Sequence, residues 1–222
     1  MSQTATTYQY QHRDAWLSIL VCYSIQILIG FLLIPALLKI LPALSELTLF
    51  FCLPVLSALI PIIYLGYRYG WLHLSDFLLR GSDYLVILAA IFILFIRFAW
   101  VTFRSPFGIS TVHSGAISQL PPFEYYLVLF AMFFYGPFFE ELLLRKYVFE
   151  IFRNKLNIVL AIILTALCGT ILHIDFDKSI VALLKIFIYG TFYTLVYWKS
   201  RLGASIFIHG LTNFFIYSIW WR

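Results

Sequence analysis

Residues 123–151 read FEYYLVLFAMFFYGPFFEELLLRKYVFEI. From Phe123 to Phe139 the only charge is Glu124, and then Glu140, Glu141, Arg145, Lys146 and Glu150 crowd the second half. Roughly 20 apolar residues suffice for one helical crossing of a bilayer, and a helix satisfies its own backbone where no water is present. The stretch therefore predicts a membrane-spanning helix, with a carboxylate pair inside it that lipid alone does not tolerate.

The rest of the chain agrees. Of 222 residues, 63% are hydrophobic and only 11% are charged, with a mean hydropathy of +0.94. A soluble domain carries about 25% charged residues. Apolar runs recur near Trp16–Leu41, Leu47–Tyr67, Tyr84–Phe103, Phe123–Ile151, Ile158–Ile174, Ile180–Trp198 and Gly203–Trp221. The expected fold is all-α: a polytopic integral membrane helical bundle of about seven transmembrane helices, with residues 68–83 a candidate to lie along the interface. No repeat or linker divides the chain, so a single membrane domain over 1–222 is expected, with a polar tail at 1–15. The first apolar run is too long for a signal-peptide core and lacks a small-residue cleavage site, so it reads as a retained helix.

All six tryptophans, Trp16, Trp71, Trp100, Trp198, Trp220 and Trp221, fall at or near span ends, as an aromatic belt would place them. The net charge of +5 sits mostly in residues flanking the spans, which suits topology signals and lipid headgroups; no nucleic-acid signature appears. Arg13, Arg68, Arg80, Arg153, Lys155, Lys199 and Arg201 collect on one side. Lys39, Arg104, Lys178 and Arg222 lie on the other. The positive-inside rule then sets the N-terminus in the cytoplasm and the C-terminus outside. Cys22, Cys52 and Cys168 lie within apolar runs without paired spacing and read as small buried hydrophobes. Gly66 and Gly70 match G-x-x-x-G, a weak packing signal here because Arg68 lies between them.

Ionisable residues inside spans are functional candidates, and here they group. Glu141 and Arg145, at i and i+4, can pair on one helix face, whereas Glu140 is turned about 100° away and is free for chemistry. Lys146 and Glu150 read as ordinary snorkelling charges at a helix end, and Arg97 as a snorkelling residue near Trp100. His173 closes the fifth run, beside Asp175 and Asp177, which mark a loop. His209 and Asn213 share a face of the last run, with Gly210 allowing close approach by another element. Each group has a structural reading: a helix-end charge cluster, an interfacial histidine, an interhelical hydrogen bond. Counted from the cytoplasmic helix ends, Glu140 lies roughly 18 Å deep, His173 roughly 24 Å and His209–Asn213 roughly 10–16 Å. The depths overlap enough for one shared pocket.

A glutamate beside an imidazole can activate water as a general base, and a second imidazole with a carboxamide can donate to an oxyanion. That set suits peptide hydrolysis without a nucleophilic Ser or Cys. The order E-E-x-x-x-R at Glu140–Arg145, a following His173, and H-x-x-x-N at His209–Asn213 resembles the CPBP family, which comprises the type II CAAX prenyl endopeptidases and the bacteriocin-processing, Abi-type proteins. The resemblance covers roughly residues 123–221 and implies a glutamate-dependent intramembrane endopeptidase. In it Glu140 and His173 would activate water, His209 and Asn213 would form the oxyanion hole, and Glu141 and Arg145 would orient the site. It implies no cofactor, a membrane-embedded protein or peptide substrate with or without a lipid anchor, and a multi-pass protein of a prokaryotic inner or plasma membrane. Two positions depart from the family pattern: Gly169 replaces the phenylalanine four residues before the histidine, and Lys146 replaces the glycine after the arginine. Zinc is the alternative cofactor, since two glutamates and two histidines could bind it, but H-E-x-x-H is absent and Asn213 is a poor zinc ligand. A non-enzymatic scaffold or immunity-type protein and a proton-relaying transporter are the remaining readings; the transporter reading lacks an inverted repeat or broken helices.

Overall fold

The computed structural model describes residues 32–40, 62–68, 70–104, 119–173 and 179–220, with isolated helical positions between 17 and 49. The expected spans Trp16–Leu41 and Leu47–Tyr67 fall largely outside the described residues, as do the tail 1–15, Cys22, Cys52, Asp175 and Asp177. No strand occurs among the described residues, so the fold is all-helical there.

Five long helices carry the architecture: α1, Gly81–Arg104; α2, a continuous rod over Pro122–Lys155; α3, Ile158–Ile171; α4, Ile180–Lys199; and α5, Leu202–Trp220. These match the expected runs to within a few residues. By length and composition α2 and α4 are long and apolar enough to cross a membrane, while α3 and Leu202–Ile216 are shorter apolar helices.

Local chemistry sets the ends. Pro122 starts α2, where its missing N–H is not needed, and Glu124 lies in the positive first turn. Arg153 and Lys155 close the rod beside its exposed carbonyls. Asn157 caps α3, its Oδ1 accepting from the Leu160 N–H at 3.0 Å. Only Leu156–Asn157 separate α2 from α3, and Ser200–Arg201 separate α4 from α5. Links this short force antiparallel neighbours. Thr165, Thr170, Thr191, Thr194 and Thr212 each return their hydroxyl to the carbonyl four residues back, leaving no hydroxyl proton facing an apolar environment. The outward faces carry large apolar side chains: Leu85, Leu88, Phe92 and Phe95 on α1, and Ile180, Val181, Leu184 and Ile188 on α4, are all exposed. A surface of this kind suits lipid rather than water.

The rod α2 is not the uniform α-helix its sequence predicts. Two π-helical segments, Ala131–Tyr135 and Leu142–Phe149, bracket the α-helical Gly136–Glu141. Gly136 and Pro137 explain the first. The Gly136 N–H reaches back five residues to Ala131 O, and Pro137 has no N–H to give. The carbonyls of Met132 and Phe133 thereby lose their ordinary helical donors, and both turn toward α5.

Residues 70–80 form a strap rather than a surface helix. Gly70 ends the helical residues 62–68 with φ +68°, the left-handed region that favours glycine. The Gly66–Gly70 pair is therefore not one helical face; instead Gly66 abuts the Tyr147 hydroxyl. A single 3-10 turn, Leu74–Asp76, follows. Trp71 stacks on Tyr147 at 5.7 Å and Phe77 on Phe138 at 5.5 Å. The charges expected to snorkel tie this end together. Lys146 pairs with Asp76 at 2.7 Å, Arg201 reaches Ser75 O at 2.7 Å and Asp83 at 3.7 Å, and Glu150 accepts from the Tyr197 hydroxyl at 2.8 Å. Strap, α2 and α5 enclose a core of Leu72, Leu142, Leu143, Tyr147, Ile151 and Leu202.

Candidate active site

Glu141 is the buried anchor of the cluster, with no solvent exposure. Its Oε1 accepts from Arg145 Nη1 at 3.1 Å and from His209 Nδ1 at 2.7 Å, and Ser205 donates its hydroxyl to Oε2. Arg145, itself 2% exposed, gives Nη2 to the Gly190 carbonyl at 3.1 Å. That carbonyl is reachable because α4 packs closely on α3; a Cβ on Gly190 would lie 3.4 Å from the Ala166 backbone. A buried carboxylate holding three donors, with its arginine held in turn, is the arrangement a charge needs away from water.

Glu140, one residue earlier, turns elsewhere. It is 30% exposed, and its two oxygens face the two histidines: Oε1 lies 3.9 Å from His173 Nε2 and Oε2 lies 3.9 Å from His209 Nε2. Both separations exceed hydrogen-bond length and are short enough for one water beside each pair to bridge it. Each ring is fixed through its other nitrogen. His173 Nδ1 lies 2.7 Å from Gly169 O, and a carbonyl only accepts, so Nδ1 carries the proton. The same logic applies to His209 Nδ1 against the Glu141 carboxylate. Both Nε2 atoms therefore point at Glu140 without being fixed as donors.

Gly169, where the family pattern has phenylalanine, seats His173 through its backbone. A Cβ there would come within 3.1 Å of Leu144 Cδ1, so Leu144 already occupies the adjoining space. At the next turn of α5, Asn213 donates Nδ2–H to Met132 O at 3.0 Å. Gly210 lies against Phe133 O, which a Cβ would approach to 2.5 Å. These are the two carbonyls released by Gly136 and Pro137. The break in the α2 ladder is thus what docks α5 and holds both His209 and Asn213 in place.

The structure brings Glu140, Glu141, Arg145, His173 and His209 into one cluster, from α2, the turn that follows α3, and α5. Asn213 stands one turn from His209, its amide anchored on α2. Sequence reasoning missed Ser205 and Tyr193. Ser205 had a signal, since Ser205, His209 and Asn213 repeat at i, i+4 and i+8 on one face. Tyr193 had none, because it arrives from α4 to stack on His209, with ring centroids 4.3 Å apart and planes 17° apart. Arg97, expected to snorkel, instead lies 4.3 Å over the Tyr189 ring.

The donor types and the anchored Nδ1 atoms are those zinc-binding histidines use. The spacing is not: among the described residues no three His, Cys, Asp or Glu side chains lie close enough to hold a metal ion. The arrangement as it stands supplies a partly exposed carboxylate, two oriented imidazoles, a carboxamide and a buried ion pair. No curated protein and no solved structure matches the chain. Residues 122–215, a segment that holds every side chain of the cluster, match the family described as type II CAAX prenyl endopeptidase Rce1-like.

Proposed function

We propose that the protein is a multi-pass intramembrane endopeptidase that hydrolyses a peptide bond of a membrane-associated protein or peptide precursor by a metal-independent route. The family match over residues 122–215 supports a membrane protease. The observation that carries the finer reading is Glu140 set 3.9 Å from the Nε2 atoms of both His173 and His209.

In this mechanism a water bound between Glu140 and His173 gives its proton to the Glu140 carboxylate as its oxygen attacks the substrate carbonyl carbon. The carbonyl oxygen becomes an oxyanion facing α5. Asn213 has a second amide N–H beyond the one on Met132 O, and an imidazolium at His209 carries Nε2–H. Glu141 accepts from His209 Nδ1 and fixes the ring's orientation. The proton held by Glu140 passes to the departing amine as the C–N bond breaks. Arg145 balances Glu141, so the set Glu140, Glu141, Arg145 and His209 is neutral overall with His209 cationic, which suits burial.

The remaining topology belongs to the same proposal: about seven spans, an N-terminus in the cytoplasm, and a prokaryotic inner or plasma membrane as the setting. The basic ends of α2 and α4 lie with Arg201, which binds the strap at Ser75 O, and this supports that orientation. Zinc is the second reading, favoured by the anchored Nδ1 atoms. Comparing the membrane peptidome of cells making wild-type or Glu140→Gln protein identifies the cleaved substrate and tests both readings. Cleavage by purified Glu140→Gln sinks the mechanism, and activity lost to a chelator and restored by zinc replaces it with the metal-dependent one.

A further inference from the structure

Tyr193 enters the cluster from α4 and is 4% exposed. Its ring stacks on His209 with centroids 4.3 Å apart and planes 17° apart. Arg145 Cζ stands over the same ring at 5.6 Å, and Tyr189, one turn earlier on α4, stacks on it at 6.0 Å. The phenol is pinned as well. Thr212 gives its one hydroxyl proton to Ile208 O at 2.7 Å, so in its hydrogen bond with Tyr193 it accepts and the phenol donates. Ser205 Oγ lies 3.1 Å from the Tyr193 carbonyl. Ring, hydroxyl and backbone of Tyr193 therefore each meet a residue of α5: His209, Thr212 and Ser205.

The hydrogen bond at Nδ1 sets which edge of the His209 ring faces Glu141, but χ2 of a histidine is a broad, roughly two-fold torsion. A swing about χ2 carries Nε2 along an arc, while Glu140 Oε2, 3.9 Å away, stays with α2. A near-parallel ring against the imidazole face blocks that swing, and offset stacking favours the flat arrangement. We propose that Tyr193 is a positioning residue: its aromatic plane holds His209 Nε2 toward Glu140 and the substrate oxyanion, while its hydroxyl only docks α4 on α5. The role rests on the endopeptidase reading and deepens it, dividing one side chain into a plane that serves turnover and a hydroxyl that serves packing.

Substitutions separate plane from hydroxyl. Tyr193→Phe keeps the ring and Thr212→Val removes the hydroxyl's partner; both are expected to hold kcat within about threefold of wild type. Tyr193→Leu removes the ring and should lower kcat about 10²-fold, as a misplacement of about 1 Å does, with KM changed less than about twofold. Tyr193→Trp restores a plane and should recover part of the loss. A second readout needs no substrate. In the full chain with nitrogen-15 histidine in detergent, the His209 ring signals should stay sharp in Tyr193→Phe and broaden in Tyr193→Leu. Thermal unfolding checks that each variant is folded, and Tyr193→Met takes the place of Tyr193→Leu if that variant is not. Equal kcat for Tyr193→Leu and Tyr193→Phe overturns the proposal, whether both are lowered or neither is. Sharp, unchanged His209 signals in Tyr193→Leu overturn it too. A wild-type protein that cleaves no peptide removes the endopeptidase reading, and the His209 signals still decide whether Tyr193 holds the ring.

Discussion

The two adjacent glutamates should fail in opposite ways when their charge is removed. Glu141 is fully buried against Arg145, His209 and Ser205. Glu141→Gln leaves the Arg145 guanidinium, 2% exposed, without its counter-ion. Stranding one partner of a buried pair costs about 3–5 kcal/mol. For a chain of this size each kcal/mol corresponds to about 2–4 °C in Tm, so a loss of roughly 6–20 °C is expected. Glu140 is 30% exposed, and its nearest ionic partners lie at 3.9 Å, so Glu140→Gln should change stability by no more than about 0.5 kcal/mol while abolishing cleavage. Thermal unfolding of the purified full chain in one detergent reads the first difference and the peptide-cleavage assay reads the second. Adding Arg145→Met to Glu141→Gln should recover part of the lost stability, because the stranded charge goes with it. Equal Tm values for the two single variants, or a double variant less stable than Glu141→Gln alone, would refute the division of roles.

Three further outcomes follow from the α2–α5 contact. Asn213→Ala should lower kcat by about 10²–10³-fold with little change in KM, as removal of one oxyanion donor does; a pure KM effect would remove that assignment. Pro137→Ala restores an N–H that competes for the released carbonyls of α2, so activity should fall without loss of helix stability, read by steady-state kinetics beside thermal unfolding. Gly210→Ala puts a methyl 2.5 Å from Phe133 O and should cost about 1–3 kcal/mol as the helices part, with unchanged Tm as the contrary result.

What could be read from the sequence was whatever depends on one segment at a time. The apolar runs fixed the described helices to within a few residues, because length and hydropathy are properties of a single element in lipid. The Glu141–Arg145 pair was legible for the same reason, since i and i+4 meet on any helix. Ser205 was equally available at i, i+4 and i+8 and was overlooked. Lys146 and Glu150 were misjudged as snorkelling charges because their partners, Asp76 and Tyr197, come from the strap and from α4. Arg97 was misjudged likewise: its helix face was legible, but Tyr189 was not.

The sequence by itself determined that this chain is helical and apolar, and it named the side chains that lipid should not hold. Only the tertiary structure decided how they meet. Pro137 and Gly136 announce a break in α2, but the use of the freed Met132 and Phe133 carbonyls depends on α5 arriving with Asn213 and Gly210. The approach of His173 to Glu140, and the stacking of Tyr193 on His209, depend on how α2, α3, α4 and α5 pack. Hydrogen bonds and ring contacts between elements act over a few ångströms and carry no periodic trace in the chain, so they appear only once the helices are assembled.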